Sequence, residues 1–158
     1  MAKRHWLIKS EPEVYSIENL EQDGTSGWEG VRNYQARNSM RDDMKDGDLV
    51  LYYHSNADPS GVAGVAKVSG LAVPDPSQFD QKSQYYDATS LKAEPRWMMA
   101  RFAFVERFAK VVPLEVLKAD KTLTGMPVLQ KGQRLSVQPV SSEHFARVLK
   151  LAGGKTKP

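Results

Sequence analysis

Apolar and polar positions follow two periods along the chain, one typical of strands and one typical of helices. Apolar runs or alternating patterns predict strands at residues 5–9, 48–55, 62–73, 97–112 and 135–140. In the longest of these, Met98, Ala100 and Phe102 alternate with a more mixed face, as in a strand that is buried on one side. The sequence DPSG at 58–61 predicts a turn that joins the second and third strands into a hairpin.

Helical spacing occurs in short segments between these strands, which begin at Ser16, Tyr34, Pro113 and Ser141. The second helix is predicted over residues 34–45, with Asn33 as its N-cap. Ala36, Met40 and Met44 then form an apolar stripe at i, i+4 spacing. Strands that alternate with such short helices favour an α+β fold built as a small mixed barrel rather than a series of β-α-β units.

Two polar segments are predicted to be irregular. Residues 23–30 contain three glycines and are predicted to be a loop, because glycine weakens both helices and strands. Residues 77–95 are polar, with room for one helical turn. Trp28 lies in the first segment, and Tyr85 and Tyr86 lie in the second, so aromatic rings stand next to polar groups in both.

The composition indicates one domain, which we expect to cover residues 1–152 and to be followed by a basic, disordered tail at 153–158. There is no cysteine, which excludes disulfides, thiolate zinc sites, iron–sulfur clusters and cysteine nucleophiles. This composition fits a reducing cytoplasm, and we expect a soluble, cytoplasmic protein. No apolar run approaches the roughly 18 residues of a membrane span, so no membrane partner is expected.

The charge is unevenly distributed, although the net charge is only +3. Residues 92–110 and 131–157 are both rich in lysine and arginine. Segregated positive charge attracts polyanions such as nucleic acids. A solvated surface with a frayed basic tail would show the same pattern, and charge alone does not separate the two interpretations.

The residue patterns of catalysis are absent from the sequence. His5, His54 and His144 are scattered and lack metal-ligand spacing. There is no GxSxG nucleophile elbow, no GxGxxG loop and no Walker loop. A histidine at the end of a strand, such as His54, is more often structural than a general base. The sequence therefore predicts no enzyme activity, no metal and no cofactor.

The nonapeptide GVRNYQARN, residues 30–38, concentrates two arginines, three amides and a tyrosine. Together with Trp28 and Trp97, it suggests an aromatic slot lined by amides, which is what reading a planar heterocycle requires. Two simpler interpretations stay open. Trp97 can fill the core, and Asn33 can serve only as an N-cap worth about 1 kcal/mol.

Six motifs carry a resemblance to a known family. The sequences HWLIKSEPEVYS, WEGVRNYQARN, MKDGDLVLYYHSN, GVAGVAKV, YYDATS…EPRW and LSVQPVS occur in the order seen in EVE-domain proteins. The resemblance covers residues 4 to 148 and implies a PUA-like pseudobarrel, a curved and mostly antiparallel sheet closed by short helices. It also implies a relationship to the YTH readers of N6-methyladenine. Members of the EVE family are thought to bind modified bases, notably modified cytosines in DNA, and catalysis is not a family property.

The matching motifs imply where the site residues lie. The implied base pocket consists of Lys9, Ser10, Trp28, Asn33, Tyr34, Tyr53, His54, Ser55, Trp97 and Ser136. Phosphate contacts are expected from Arg32, Arg37, Arg41, Arg96 and Arg134. In this hypothesis aromatic rings stack on the base, amides and hydroxyls pair with its edge, and guanidinium groups hold the backbone.

The leading hypothesis is a non-catalytic reader that accommodates a flipped, modified base, with modified cytosine in DNA favoured by the resemblance. One alternative is a PUA-like module that binds RNA. Another is a sensor of a free modified nucleobase or nucleoside, which the basic segments weakly disfavour. An enzyme that uses His54 or Glu11 as acid or base is the least favoured. The sequence leaves the oligomeric state open, and a monomer is expected.

Overall fold

The computed structural model describes residues 4–132 and 135–158. Its strands are β1 (His5–Ser10), β2 (Thr25–Gly27), β3 (Leu49–His54), β4 (Gly61–Val68), β5 (Val73–Pro74), β6 (Met98–Met99), β7 (Arg101–Pro113) and β8 (Val137–Val140). Its α-helices are α1 (Ile17–Asp23), α2 (Tyr34–Asn38), α3 (Leu114–Ala119) and α4 (Ser142–Ala152). A π-helix covers Ser39–Asp43, and 3₁₀ turns cover Pro76–Phe79, Lys121–Leu123 and Pro127–Leu129.

The strands form a curled half-barrel in the order β2-β7-β4-β3-β1-β8. β1 runs parallel to β3, and the other neighbouring pairs are antiparallel. β5 and β6 form a separate two-stranded ribbon. The predicted α+β fold, a curved and mostly antiparallel sheet with short helices, is confirmed.

Helices cover both faces of this sheet, and β3 shows why its apolar run is continuous. Leu49, Leu51 and Tyr53 pack with residues of α3 and α4. Val50 and Tyr52 point to the other face and pack with residues of α1 and α2. Since successive side chains alternate between faces, a strand covered on both sides is apolar at nearly every position.

Local signals set the helix starts as predicted. Ser16 caps α1 in a capping box with Asn19, and Asn33 and Ser141 cap α2 and α4 through their side chains. The predicted helix over 34–45 ends earlier, because the chain passes from α2 into the π-helix and leaves helical geometry at Met44. The predicted apolar stripe is nevertheless buried throughout.

The predicted loop at 23–30 contains a strand. Residues 25–27 are β2, and Ser26 stands opposite Phe102 of β7. The prediction was wrong there because the main chain can pair with a neighbouring strand whatever its glycine content. That partner is distant in the sequence.

Two predicted strands are shorter than expected. The strand predicted over 62–73 ends at Val68, and Gly70 turns the chain with a positive φ of 81°. The strand predicted over 97–112 is divided at Ala100, and its first part pairs with β5 instead of joining the sheet.

The segment predicted to be a disordered tail, 153–158, contacts β7. The main-chain N–H groups of Lys155 and Thr156 donate to the Glu106 carboxylate at 2.8 and 3.0 Å. This part of the segment is therefore held against the sheet, and the division of the chain at residue 152 stays a prediction. No helix in the two described ranges is long and apolar enough to cross a bilayer.

Candidate functional site

A cavity of about 430 Å³ lies at the end of β1, where the chain leaves the sheet toward α1. Its walls are formed by Ser10, Val14, Tyr15, Ser26, Gly27, Trp28, Glu29 and Tyr85. We call it the Trp28 cavity. The N-terminal segment, β2 with the residues that follow it, and the long segment before β6 each contribute to it, so it is assembled from three distant parts of the sequence.

Trp28 is half-buried and held in a fixed orientation. Its main-chain N–H donates to the carbonyl of Ala100 at 2.9 Å. Its ring makes edge contacts with Tyr52 and Phe102, with centroids 5.8 and 5.5 Å apart and interplanar angles near 85°. Because the core side of the ring is fixed in this way, the ring forms a rigid wall of the cavity.

The hydroxyl groups beside this wall form a network. The Ser10 and Tyr52 hydroxyls both donate to the Tyr15 carbonyl, each at 2.7 Å. The Tyr15 hydroxyl donates to the Asp23 carboxylate at 2.6 Å. Burial raises the pKa of Tyr52, and burial together with Asp23 raises the pKa of Tyr15. Both phenols therefore stay neutral at physiological pH.

Tyr85 reaches the cavity from the long irregular segment because Arg32 holds it there. The Arg32 guanidinium donates twice to the Tyr85 carbonyl, at 2.7 and 3.2 Å. Its remaining donors go to the Val31 carbonyl, the Ser77 hydroxyl and the Asp75 carboxylate. Five hydrogen bonds match the five N–H donors of a guanidinium, so Arg32, predicted as a phosphate ligand, is committed to the protein itself.

Asp75 anchors the loop before α2. Its carboxylate accepts from the Gly30 N–H at 2.8 Å and from Arg32 at 3.1 Å. Burial of Asp75 opposes its ionisation, but the hydrogen bonds from Ser77, Gly30 and Arg32 outweigh burial and lower its pKa. Gly30 has a φ of 81°, and a Cβ there would stand 2.6 Å from the Tyr85 ring. The backbone therefore lies so close to this ring that only glycine fits at position 30.

Trp97, predicted as a pocket wall, is buried with 6% of its surface exposed. Tyr34 stacks on it at 4.9 Å with an interplanar angle of 20°, and its indole N–H donates to Asp87 at 2.8 Å. The Arg32 guanidinium lies 5.1 Å from its ring centroid. Tyr34, which is 52% exposed, is therefore the aromatic surface that this stack presents to solvent.

Asn33 and His54 make structural contacts. The Asn33 side-chain oxygen accepts from the Ala36 N–H at 3.0 Å, as an N-cap does. His54 is buried, and its Nε2 accepts from the Ile17 N–H at 3.1 Å, which satisfies a free donor at the start of α1. Burial lowers the pKa of His54, although the charge of Glu18 partly offsets this effect.

The predicted pocket residues Lys9, Tyr53 and Ser55 line a second cavity, of about 630 Å³. The other residues around it are Asn56, Ser60, Leu114, Lys118, Val128, Leu129, Gln130, Lys131 and Gly132. We call it the lysine cavity. Burial lowers the pKa of Lys9. Ser136 contributes its carbonyl, which accepts from the Lys9 N–H at 2.9 Å, and lines neither cavity.

Among the other predicted phosphate ligands, Arg41 and Arg96 are exposed and Arg37 is partly buried. Arg37 donates to the Arg96 carbonyl at 2.8 Å and to Asn38, beside the Tyr34 ring. Arg96 is exposed, with a nitrogen 3.9 Å from Asp87. Arg41 is exposed and pairs with Asp42 at 2.8 Å. Arg134 lies outside the described residues.

The structure thus brings Ser10 and Trp28 into one cavity and places the other predicted pocket residues elsewhere. The other residues that line this cavity were missed by the sequence reasoning: Val14, Tyr15, Ser26, Gly27, Glu29 and Tyr85. The available signal was Tyr85 itself, an aromatic residue in a polar segment, although nothing local indicates which loop it meets. In the described ranges no group of three or more histidine, aspartate or glutamate side chains could hold a metal ion.

Comparison with known proteins gives consistent matches over nearly the whole chain. The family model described as "EVE domain" matches residues 4–151. Human thymocyte nuclear protein 1 is 41% identical over an alignment of 165 residue positions, gaps included. The alignment covers 93% of this chain and 73% of that protein.

Two solved structures are similar in both sequence and fold. The structure of human THYN1 protein in complex with 5-methylcytosine-containing DNA has a TM-score of 0.87 and 39% identity, and the match covers 99% of this chain and 100% of that one. A protein from Pseudomonas syringae has a TM-score of 0.89 and 42% identity, and the match covers 94% of this chain and 99% of that one.

The relatives correct one prediction. Curated relatives from chicken and human carry the name thymocyte nuclear protein 1, which points to a nuclear rather than a purely cytoplasmic location. The expected cytoplasmic location is therefore wrong. It rested on the absence of cysteine, and cytosol and nucleus are both reducing, so that observation does not distinguish them.

Proposed function

This chain belongs to the EVE-domain family, and from that premise we propose that it binds DNA and accommodates a flipped 5-methylcytosine in the Trp28 cavity. The observation that carries the proposal is the fixed Trp28 wall in a cavity with Tyr85 at its rim. The similarity to human THYN1 protein, solved with 5-methylcytosine-containing DNA, names the base.

Stacking supplies the main attraction in this proposal. The rings of Trp28 and Tyr85 are both available to a planar base. Stacking on an aromatic ring is worth about 1–3 kcal/mol per base, and flipping a base costs a few kcal/mol. Backbone phosphate contacts must therefore contribute as well, which is consistent with the exposed Arg41 and Arg96 and the partly buried Arg37.

Two side chains at the rim suit cytosine and its methyl group. Glu29 carries an exposed carboxylate that can accept from the exocyclic amine of cytosine. Val14 is 73% exposed and offers an apolar contact to a 5-methyl group. Burial of one methyl group is worth about 0.8 kcal/mol, which corresponds to a preference of roughly fourfold for methylated over unmethylated cytosine.

Tyr85 and Tyr86 provide a matched pair for the test. Tyr85 lines the cavity, whereas its neighbour Tyr86 is similarly exposed and does not. Fluorescence anisotropy with duplexes that carry one 5-methylcytosine should show at least tenfold weaker binding for Tyr85→Ala. Tyr86→Ala should bind like the unaltered protein. Equal losses in both variants, or in neither, would remove the Trp28 cavity as the base site.

The alternatives are outcomes of the same assay. An RNA oligonucleotide of the same sequence that binds more tightly than the DNA would identify an RNA-binding module. Efficient competition by free 5-methyldeoxycytidine would identify a small-molecule sensor. The chain is proposed to be non-catalytic, so mass spectrometry after prolonged incubation should recover the oligonucleotide unchanged. A product that disappears in His54→Ala would indicate an enzyme.

A further inference from the structure

The lysine cavity and the Trp28 cavity lie on opposite faces of the sheet at the same end of β1. Lys9 and Ser10 are consecutive on β1, and side chains alternate along a strand, so each lines a different cavity. In the parallel register with β3, Lys9 stands opposite Tyr53 and Ser10 opposite His54. A ligand that passes over this end of β1 can therefore reach both cavities.

The lysine cavity has the composition of an anion site. Lys9, Lys118 and Lys131 line it, and none of its described lining residues is acidic. The hydroxyls of Ser55 and Ser60 add further donors, and the apolar wall consists of Leu114, Val128 and Leu129. Three ammonium groups in a concave surface with one apolar side raise the local concentration of anions.

Tyr53 adds a second, independent observation. The residue is 4% exposed and lines the lysine cavity. Its hydroxyl takes part in no hydrogen bond within residues 4–132 and 135–158. Burial raises the pKa of Tyr53, so the hydroxyl remains a donor. Because this hydroxyl is not among the buried polar atoms without a partner, it reaches the open space of the cavity, where it can donate to a ligand.

We infer that the lysine cavity binds a backbone phosphate of the same DNA whose modified base enters the Trp28 cavity, an inference that rests on the function proposed above. Phosphate oxygens accept from the Tyr53 hydroxyl and from the ammonium groups of Lys118 and Lys131. These three residues were not among the arginines that the sequence suggested for this role. The lysine cavity thus contributes to the affinity and fixes the position of the protein on the DNA, and the Trp28 cavity determines which base is bound.

The first test compares two double variants with equal loss of charge. Lys118→Gln with Lys131→Gln removes two cavity lysines, and Lys110→Gln with Lys121→Gln removes two exposed lysines that do not line the cavity. For a 5-methylcytosine duplex, the cavity variant should bind at least tenfold more weakly at low salt. Its log–log salt slope should be smaller by about 1–2. The control should lose less than threefold, and both should keep the preference for the methylated base.

Tyr53→Phe isolates the hydroxyl. Since this hydroxyl makes no intramolecular hydrogen bond in the described ranges, the melting temperature should not fall, whereas the affinity for the duplex should fall about threefold or more. Neutral methylphosphonates, placed one at a time around the modified base, then locate the phosphate. At one position, the methylphosphonate should weaken binding by the unaltered protein. The same substitution should not weaken binding by the Lys118→Gln, Lys131→Gln variant.

Three results would overturn the inference. In the first, the cavity variant binds DNA like its control. In the second, every methylphosphonate weakens both proteins equally. In the third, deoxycytidine monophosphate binding depends on these lysines while duplex binding does not, which assigns the cavity to a free phosphorylated ligand. Failure of the proposed base site is separate, because it shows in the Tyr85 and Tyr86 pair and not in the salt slope.

Discussion

Asn33 caps α2 through its side-chain oxygen, and an aspartate can make the same hydrogen bond. We therefore expect Asn33→Asp to melt within a few degrees of the unaltered protein, because a carboxylate also suits the positive end of a helix. Since Asn33 does not line the Trp28 cavity, the preference for 5-methylcytosine should persist. Thermal denaturation and anisotropy measure the two properties.

The control for this substitution is Asn33→Ala, which removes the cap and should reduce the free energy of unfolding by about 1 kcal/mol. If Asn33→Asp instead folds normally and selectively loses DNA binding, the amide contacts the base directly, as the sequence suggested. The structural assignment of Asn33 as a cap only would then be wrong.

His54 predicts a specific pH dependence of stability. Its lowered pKa in the folded protein means that the unfolded state takes up the proton first as the pH falls. The contribution of His54 is therefore fully present above the unfolded pKa of about 6.5 and is lost as the pH falls through the lower folded value. Chemical denaturation at pH 7.5 and 5.5 should show this loss.

His54→Gln is the control, because an amide oxygen can accept from the Ile17 N–H without titrating in this range. The variant should lose less stability between pH 7.5 and 5.5 than the unaltered protein. An identical pH dependence in the two proteins would assign the change to other groups.

Residue types alone could not separate these roles. Arg32 and Arg96 have the same side chain and stand in similar polar motifs, yet Arg32 has all its donors bound within the protein and Arg96 is exposed. The difference comes from Asp75 and Tyr85, more than 40 residues away in the sequence. A sequence pattern indicates which groups can form hydrogen bonds, and only the fold determines their partners.

At the scale of elements, the segment between β5 and β6 depends on one buried amide. Gln78 is fully buried; its Nε2 donates to the Asp75 and Trp97 carbonyls, and its Oε1 accepts from the Ser90 hydroxyl and the Trp97 N–H. Gln78→Glu places a carboxylate against two carbonyls. We expect a loss of about 3 kcal/mol or more in the free energy of unfolding, measured by chemical denaturation.

Gln81→Glu makes the same chemical change at an exposed position of that segment and should be nearly neutral. Because the segment carries Tyr85 into the Trp28 cavity, Gln78→Glu should also weaken DNA binding. Comparable stabilities of the two variants would mean that the segment is held by contacts other than Gln78.

The elements that were predicted correctly are those whose signals are local. β3 is a continuous apolar run, and α4 has a serine cap and helical periodicity. β2 and the π-helix were missed because a three-residue edge strand and a widened helical turn have no periodicity of their own. Of the residues that line the Trp28 cavity, only Ser10 and Trp28 were predicted as pocket residues, because the cavity forms where three segments distant in the sequence meet.

For the whole molecule, the contribution of positive charge to DNA affinity should be separable from the preference for the modified base. Arg96→Gln removes an exposed charge and should lower the log–log salt slope of DNA binding by about 1, without changing the preference for 5-methylcytosine. Titrations at several salt concentrations measure both. Arg107→Gln, an exposed position on β7 that lines neither cavity, is the control. A changed base preference in Arg96→Gln would place Arg96 at the base instead.

The position of β1 has a consequence for the folding of a growing chain. β1 pairs with β3 on one side and, on the other, with β8, which begins at Val137. During synthesis from the N-terminus, this apolar strand keeps one edge open until almost the entire domain has been made. An open apolar edge is a template for pairing with other chains. Nascent and truncated forms that lack β8 are therefore expected to aggregate more readily than the whole domain.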